Sequence, residues 1–178
     1  MLEAGLPCAE ITFRTDAALK SIEIFSRYEE FTLGAGTVLT PEQVVKAKDA
    51  GAQFMVSPGF DAAVVEYCID REIPVIPGCC TPSEIQAAAK ISISVIKFFP
   101  AEPFGGTETL KSLSAPYPDI SFIPTGGITA KNLKKYLELE CVLACGIGQI
   151  VNRRAIASGD LETISNLTKE VLTIIHQE

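Results

Sequence analysis

The feature that most limits what this chain can fold into is a repeat of form. Short β-rich runs alternate with longer segments of helical period: "AEITFR" (9–14), "FTLGAGTV" (31–38), "FMVSP" (54–58), "PVIPG" (74–78), "VIKFFPA" (95–101), "SFIPTGG" (121–127) and "VLACGIG" (142–148). These seven expected strands recur about every 20 to 25 residues, enough for a strand, a loop and a helix, so successive strands run parallel with helical crossovers between them. The intervening segments carry helix-start signals. In "TPEQVVKAKDAG", Thr40 is placed to cap, Pro41 takes the first helical position and Gly51 follows the end. In "TPSEIQAAAK", Thr81, Pro82 and Ser83 open a helix in a similar way.

Two closures suit such a pattern, an open doubly wound sheet or a (β/α)8 barrel. A nucleotide-binding open sheet would gather glycine after its first strand as G-x-G-x-x-G, and the chain has none. Instead, nearly every strand ends at its carboxyl side in Gly, Pro or Thr: Thr37, Pro58-Gly59, Pro77-Gly78, Pro100, Thr125-Gly126-Gly127, Gly146 and Gly148. Loops that meet around one mouth have that punctuation. The expected fold is therefore α/β, a TIM (β/α)8 barrel, as a single domain over residues 1–178. Seven strands are one too few, barrels typically run to at least about 200 residues, and Met1 to Gly5 reads as the tail of a helix. We expect a first β/α unit to be missing from this chain.

Composition narrows the function. With 47% hydrophobic residues in 178, the chain can build one substantial core. A net charge of -7 with no basic run gives a phosphate backbone nothing to hold, so nucleic acid is not an expected partner. No apolar stretch reaches the roughly 18 residues of a membrane span, and no charged-then-apolar leader opens the sequence. A cytoplasmic protein without a membrane partner is expected. Six cysteines without a C-x-x-C read as reduced, mostly buried thiols, with the adjacent Cys79 and Cys80 as small fillers after a strand end. The only histidine is His176, so neither a histidine triad nor a multi-histidine metal site can readily be assembled. No metal and no cofactor are expected.

Against this background Lys97 stands out, one lysine in the apolar run "SVIKFFPAE". Alternation puts Lys97, Phe99 and Ala101 on one strand face, and one face of a barrel strand is packed interior. Burial lowers a lysine pKa, which yields a neutral amine able to attack a ketone and form a Schiff base. On that fragment alone, a lysine that snorkels to water, or pairs with a carboxylate from another strand, is an equal reading. "AEITFRT" shifts the balance. Glu10, Thr12 and Arg14 share one face, with Cys8 extending the row, where a structural strand would carry Val or Leu. A carboxylate beside a lysine in a dry barrel shuttles protons, and Arg14 offers a fork for a substrate carboxylate. The alternative is a buried Glu-Lys-Arg network serving structure only, which is often no more stable than apolar packing.

"AEITFRT", "GAGTVLTPEQ", "VSPG", "IPG", "IKFFPAE" and "PTGGI" together resemble the class I, pyruvate-dependent 2-keto-3-deoxy-6-phosphogluconate / 4-hydroxy-2-oxoglutarate aldolase family, in its order and spacing and over essentially the whole chain. The resemblance implies Lys97 as the Schiff-base lysine and Glu10 as general acid/base. It implies Arg14 and Thr37 as the hold on the pyruvyl carboxylate, Phe99 beside the imine and Thr125 at the mouth. It further implies cleavage of a 2-keto-3-deoxy-6-phosphogluconate-type substrate to pyruvate and glyceraldehyde 3-phosphate, with 4-hydroxy-2-oxoglutarate going to pyruvate and glyoxylate, and a homotrimer. Phosphate is expected on Gly126 and Gly127 of "TGGI" and on Gly146 and Gly148 of "GIGQ". The family usually carries G-G-S-x in the second loop, so here Ile147 replaces a glycine and Gly148 a hydroxyl, which implies a weaker hold on phosphate. A non-catalytic anion-binding barrel or decayed aldolase is the competing reading, against which the joint presence of Lys97, Glu10, Arg14 and Thr37 argues. In the last helical segment, Glu162 and Glu170 are expected on a solvated face, with the apolar stripe of "ISNLTKEVLTII" packed inward.

Overall fold

Strands and helices alternate through the computed structural model, which describes residues 1–151 and 153–176 and is of the α/β class. The chain divides into two compact units, Pro7–Lys97 on the one hand and Met1–Leu6 with Phe98–Glu178 on the other.

In the unit Pro7–Lys97, β1 (Cys8–Thr12), β2 (Thr32–Gly36), β3 (Phe54–Val56) and β4 (Val75–Ile76) lie side by side in chain order, all parallel. Helices α1 (Ala17–Phe25), α2 (Pro41–Asp49), α3 (Ala62–Ile69) and α4 (Pro82–Lys90) make the crossovers. Just beyond β4, Gly78 pairs in parallel with Lys97 of β5 (Val95–Phe98), whose N–H donates to Pro77 O at 2.8 Å and whose carbonyl accepts from Cys79 N–H at 2.9 Å. The caps form as the sequence specifies. Thr40 Oγ1 accepts from Gln43 N–H at 3.3 Å with Pro41 in the first turn. Thr81 and Glu84 close a reciprocal capping box in which Glu84 also accepts from Cys80 N–H at 2.9 Å. Each helix turns its apolar stripe inward: Val44 and Ala47 of α2, Val64, Val65 and Cys68 of α3, Ile85 and Ala88 of α4 are all buried. Burial of a side chain of Val or Ile size contributes about 1.5–3 kcal/mol. In β2, successive residues from Leu33 to Gly36 are buried, so both faces of the strand are covered, as parallel sheets require.

In the other unit, Thr125 N–H donates to Phe98 O at 2.9 Å, beside β6 (Ser121–Pro124). Helices α5 (Gly106–Ser114), α6 (Ala130–Leu137), α7 (Arg153–Ser158) and α8 (Leu161–Ile175) follow. The apolar stripe of α8 buries Ile164 and Val171, and Glu162 and Glu170 are exposed, as expected. Met1 to Gly5 forms a single 3₁₀ turn, Leu2–Ala4, closed by Gly5 at φ 93.

The seventh expected strand does not form. Residues 142–148 touch their neighbour at two isolated parallel bridges, Phe122↔Val142 and Thr125↔Gly146. The cause lies in the neighbouring strand. A continuing ladder would need an N–H at position 124, and Pro124 has none to give. Gly146 N–H instead reaches Pro124 O at 2.9 Å, one residue out of register with the first bridge. Among the described residues, no helix is long and apolar enough to cross a membrane.

Candidate active site

Lys97 is third in the strand "VIKF" and is 6% exposed. Among the described residues, the other nine lysines are all exposed, which leaves Lys97 as the one buried amine. Its Nζ lies 3.3 Å from each carboxylate oxygen of Glu10 on β1. That meeting requires curvature. In a flat sheet the first and fifth strands are about 19 Å apart, four spacings of about 4.8 Å, well beyond the joint reach of a lysine and a glutamate. The strands of Pro7–Lys97 therefore curl until the side chains of the two outermost strands touch on the concave face. Curling parallel strands is how a barrel closes, so one contact reports both the bend and the face that Lys97 occupies. About a quarter of the Glu10 side chain remains exposed, so one end of the pair is open to water.

The carboxylate of Glu10 rests against Gly36, the last residue of β2, where a side chain would overlap it. Thr37 follows directly. It is half-buried and held at φ 56, a left-handed backbone that is a clear outlier for a β-branched residue. Strained residues of this kind cluster at binding and catalytic sites. Arg14 departs from its expected place. β1 ends at Thr12 and the backbone turns, with Arg14 N–H donating to Thr12 O at 2.9 Å, so Arg14 lies beyond the strand and is exposed. Its Nε donates to Thr12 Oγ1 at 3.2 Å. The structure thus joins Lys97 with Glu10 and Thr12 with Arg14, and Thr12 acquires a positioning contact that its type alone did not reveal.

The remaining expected residues lie in the other unit. Gly126 (φ 99) and Gly127 (φ 83) both need the left-handed freedom of glycine. The edge of the Phe99 ring and the Pro100 backbone crowd Gly126, and Glu102 Cβ would lie 2.6 Å from any Cβ on Gly127. Ala101 N–H donates to Thr125 O at 2.8 Å and Glu102 N–H to Gly126 O at 3.0 Å, which stitches "PAE" to the glycine loop. Gly146 lies against the side chain of Thr125, whereas Gly148 is exposed with open space around it.

Sequence reasoning passed over Glu102 and Tyr136. The fully buried Tyr136 of α6 donates its hydroxyl to Glu102 Oε1 at 2.5 Å, and burial together with this bond pushes its phenol well above the ordinary range. "PAE" was the available signal for Glu102, but nothing local links it to a tyrosine 34 residues on. Of the two cysteines expected as fillers, Cys79 is fully buried, its thiol pushed up to about 12 by burial first and then by the nearby Glu84, whereas Cys80 is only half-buried.

A buried amine against a partly solvated carboxylate can add to a carbonyl carbon and pass protons to and from what it binds. Among the described residues, no group of three or more His, Cys, Asp or Glu is placed to hold a metal ion.

Known proteins are similar to this chain in sequence and in fold. The family model of KDPG and KHG aldolases matches residues 1–167. The 2-dehydro-3-deoxy-phosphogluconate aldolase of Treponema pallidum is 44% identical over 176 residues, 98% of this chain and 84% of that protein. The KHG/KDPG aldolase of Escherichia coli K12 is 36% identical over 97% of this chain and 81% of its own length. Among solved structures, a KDPG aldolase of Legionella pneumophila with pyruvate captured at low pH as a covalent carbinolamine intermediate superposes with a TM-score of 0.92 at 36% identity, covering 96% of this chain and 83% of that one.

Proposed function

Because this chain belongs to the KDPG and KHG aldolase family, we propose that it cleaves a 2-keto-3-deoxy-6-phosphogluconate-type substrate to pyruvate and glyceraldehyde 3-phosphate through a Schiff base on Lys97, and 4-hydroxy-2-oxoglutarate to pyruvate and glyoxylate. The observation that carries the reading is the Lys97–Glu10 contact: among the described residues the one buried lysine sits 3.3 Å from the carboxylate of Glu10. A carbinolamine on pyruvate, such as the one captured in the Legionella enzyme, requires an amine.

In the proposed mechanism, Lys97 Nζ adds to the C2 carbonyl of the keto acid, and the carbinolamine loses water to give the imine. Glu10 accepts the C4 hydroxyl proton, the C3–C4 bond breaks, and its electron pair moves into the imine as an enamine while the aldehyde leaves. Protonation at C3 and hydrolysis then release pyruvate and restore the amine. No metal or cofactor enters these steps. Arg14 and Thr37 are assigned to the pyruvyl carboxylate and Phe99 to packing beside the imine. Thr125, Gly126, Gly127, Gly146 and Gly148 are assigned to the aldehyde half and its phosphate. The roles come from the family resemblance, and the strain at Thr37 and the positive φ of the two loop glycines support them.

We read residues 1–178 as one (β/α) barrel domain of TIM type, supported by the curl of β1–β5, by a family model that runs through both units and by the high TM-score. Homotrimeric assembly is carried over from the family resemblance and a cytoplasmic location from the sequence reading, and sedimentation of the purified protein tests the first. The test of function is pyruvate release from 2-keto-3-deoxy-6-phosphogluconate. Turnover by the protein and its loss in Lys97→Met support the reading, whereas undiminished turnover in that variant removes Lys97 from the chemistry.

A further inference from the structure

We propose that Gly36 is a positioning residue: the space left by its missing side chain is the seat of the Glu10 carboxylate, and hence of the base held against Lys97. The inference rests on the assignment of Glu10 as general acid/base.

Gly36 closes β2 and pairs with Thr12, two residues along β1 from Glu10. The three atoms nearest to a Cβ built on it all belong to one residue. They are Oε1, Cδ and Cγ of Glu10, the last at 2.6 Å and the other two nearer still. Backbone conformation does not explain the glycine, because Gly36 is not among the positive-φ residues and any amino acid could adopt its strand geometry. Its ladder bond, Phe13 N–H to Gly36 O at 2.7 Å, involves main chain alone. Gly34 provides the contrast within the same strand. A Cβ there would strike the Phe54 ring, so Gly34 serves apolar packing. At position 36 the obstacle is instead the outer part, Cγ to Oε1, of a flexible, partly solvated side chain, which can swing away.

A methyl group at position 36 therefore moves the carboxylate and leaves the strand in place. Ordinary contact distances would push Oε1 away by roughly 1.5 Å, while both carboxylate oxygens already stand 3.3 Å from Lys97 Nζ, beyond the usual length of such a bond. A displacement of about 1 Å in a catalytic group can cost on the order of 10²-fold in rate.

The experiment is a double-mutant cycle on kcat and KM with Gly36→Ala, Glu10→Ala and the pair together, alongside borohydride trapping of pyruvate and a thermal melt. We expect Gly36→Ala to lower kcat by about 10²-fold or more while still trapping pyruvate, since general acid/base help is worth about 10²–10⁴-fold. In the Glu10→Ala background the same change should cost less than about threefold, because the carboxylate it displaces is already gone. Equal losses in both backgrounds would overturn the proposal. A slow Glu10→Ala beside a normal Gly36→Ala also overturns it and leaves the role of Glu10 standing, whereas a normal Glu10→Ala refutes that role itself. If Gly36→Ala does not fold, the double variant decides: a folded double variant shows that carboxylate and methyl compete for one space, and an unfolded one shows that the glycine serves the fold.

Discussion

Replacing Thr37 with glycine should separate stability from activity. Thr37 sits at φ 56, where a residue with a Cβ is strained by about 1–2 kcal/mol. It has little room to relax, because Gly36 O accepts from Phe13 N–H at 2.7 Å on one side and Val38 N–H donates to Val56 O at 3.1 Å on the other. Glycine relieves that strain but adds about 0.5–1 kcal/mol of unfolded-state entropy. Loss of one half-buried methyl removes up to about 0.8 kcal/mol more. These contributions nearly cancel, so Thr37→Gly should melt within about 3 °C of the parent, given that 1 kcal/mol moves Tm by about 2–4 °C in a chain of this size. Binding should not be spared. If the hydroxyl holds the pyruvyl carboxylate, its loss costs about 1.5–3 kcal/mol, a tenfold to hundredfold rise in KM. Calorimetry and steady-state kinetics on one preparation read both quantities. A fall in Tm of more than about 6 °C would show that the left-handed conformation carries no such strain, and an unchanged KM would remove Thr37 from the carboxylate site.

Three further outcomes are expected. Glu10→Gln should keep at least part of the pyruvate trapping but cleave about 10²–10⁴-fold more slowly, and near-normal turnover in the folded variant would exclude Glu10 as the proton shuttle. Gly148→Ser, at a position with open space around it, should raise kcat/KM for the phosphorylated substrate over 4-hydroxy-2-oxoglutarate by about tenfold or more; no gain would mean that the "GIGQ" loop does not limit phosphate binding. Burial raises the thiols of Cys68 and Cys79 from 9.0 to about 11 and about 12. Groups raised in this way stabilise fully below pH 9 and lose that contribution as pH climbs through the folded values, at up to about 1.4 kcal/mol per pH unit for each thiol. Urea midpoints should therefore fall between pH 9 and 11, and the slope should flatten in Cys68→Ala and Cys79→Ala; a parallel slope in those variants refutes the assignment.

Much of this architecture is legible in the sequence because its signals are local. Thr40 and Thr81 announce their helices through side chains that bond within four residues, and Lys97 is conspicuous because a charge in an apolar run has few innocent explanations. What stays hidden depends on a neighbour distant in sequence. The strand expected at 142–148 is broken by the missing N–H of Pro124 on the strand beside it. Arg14 was expected to extend the row of Glu10 and Thr12, but the chain turns after Thr12 and no period-2 pattern records that turn. Glycine at 36 looks like any strand-end glycine until the carboxylate of Glu10 is found in its place. The contact between the outermost strands of a curled sheet is a property of closure, which no stretch of a few residues encodes.

The most direct test of the account is borohydride reduction of the protein with pyruvate, followed by mass measurement and peptide mapping. The account predicts one reduced pyruvyl group per chain, carried by the peptide that contains Lys97 and absent from Lys97→Met. An unchanged mass, or a label on one of the exposed lysines with the Lys97 peptide unmodified, would contradict it.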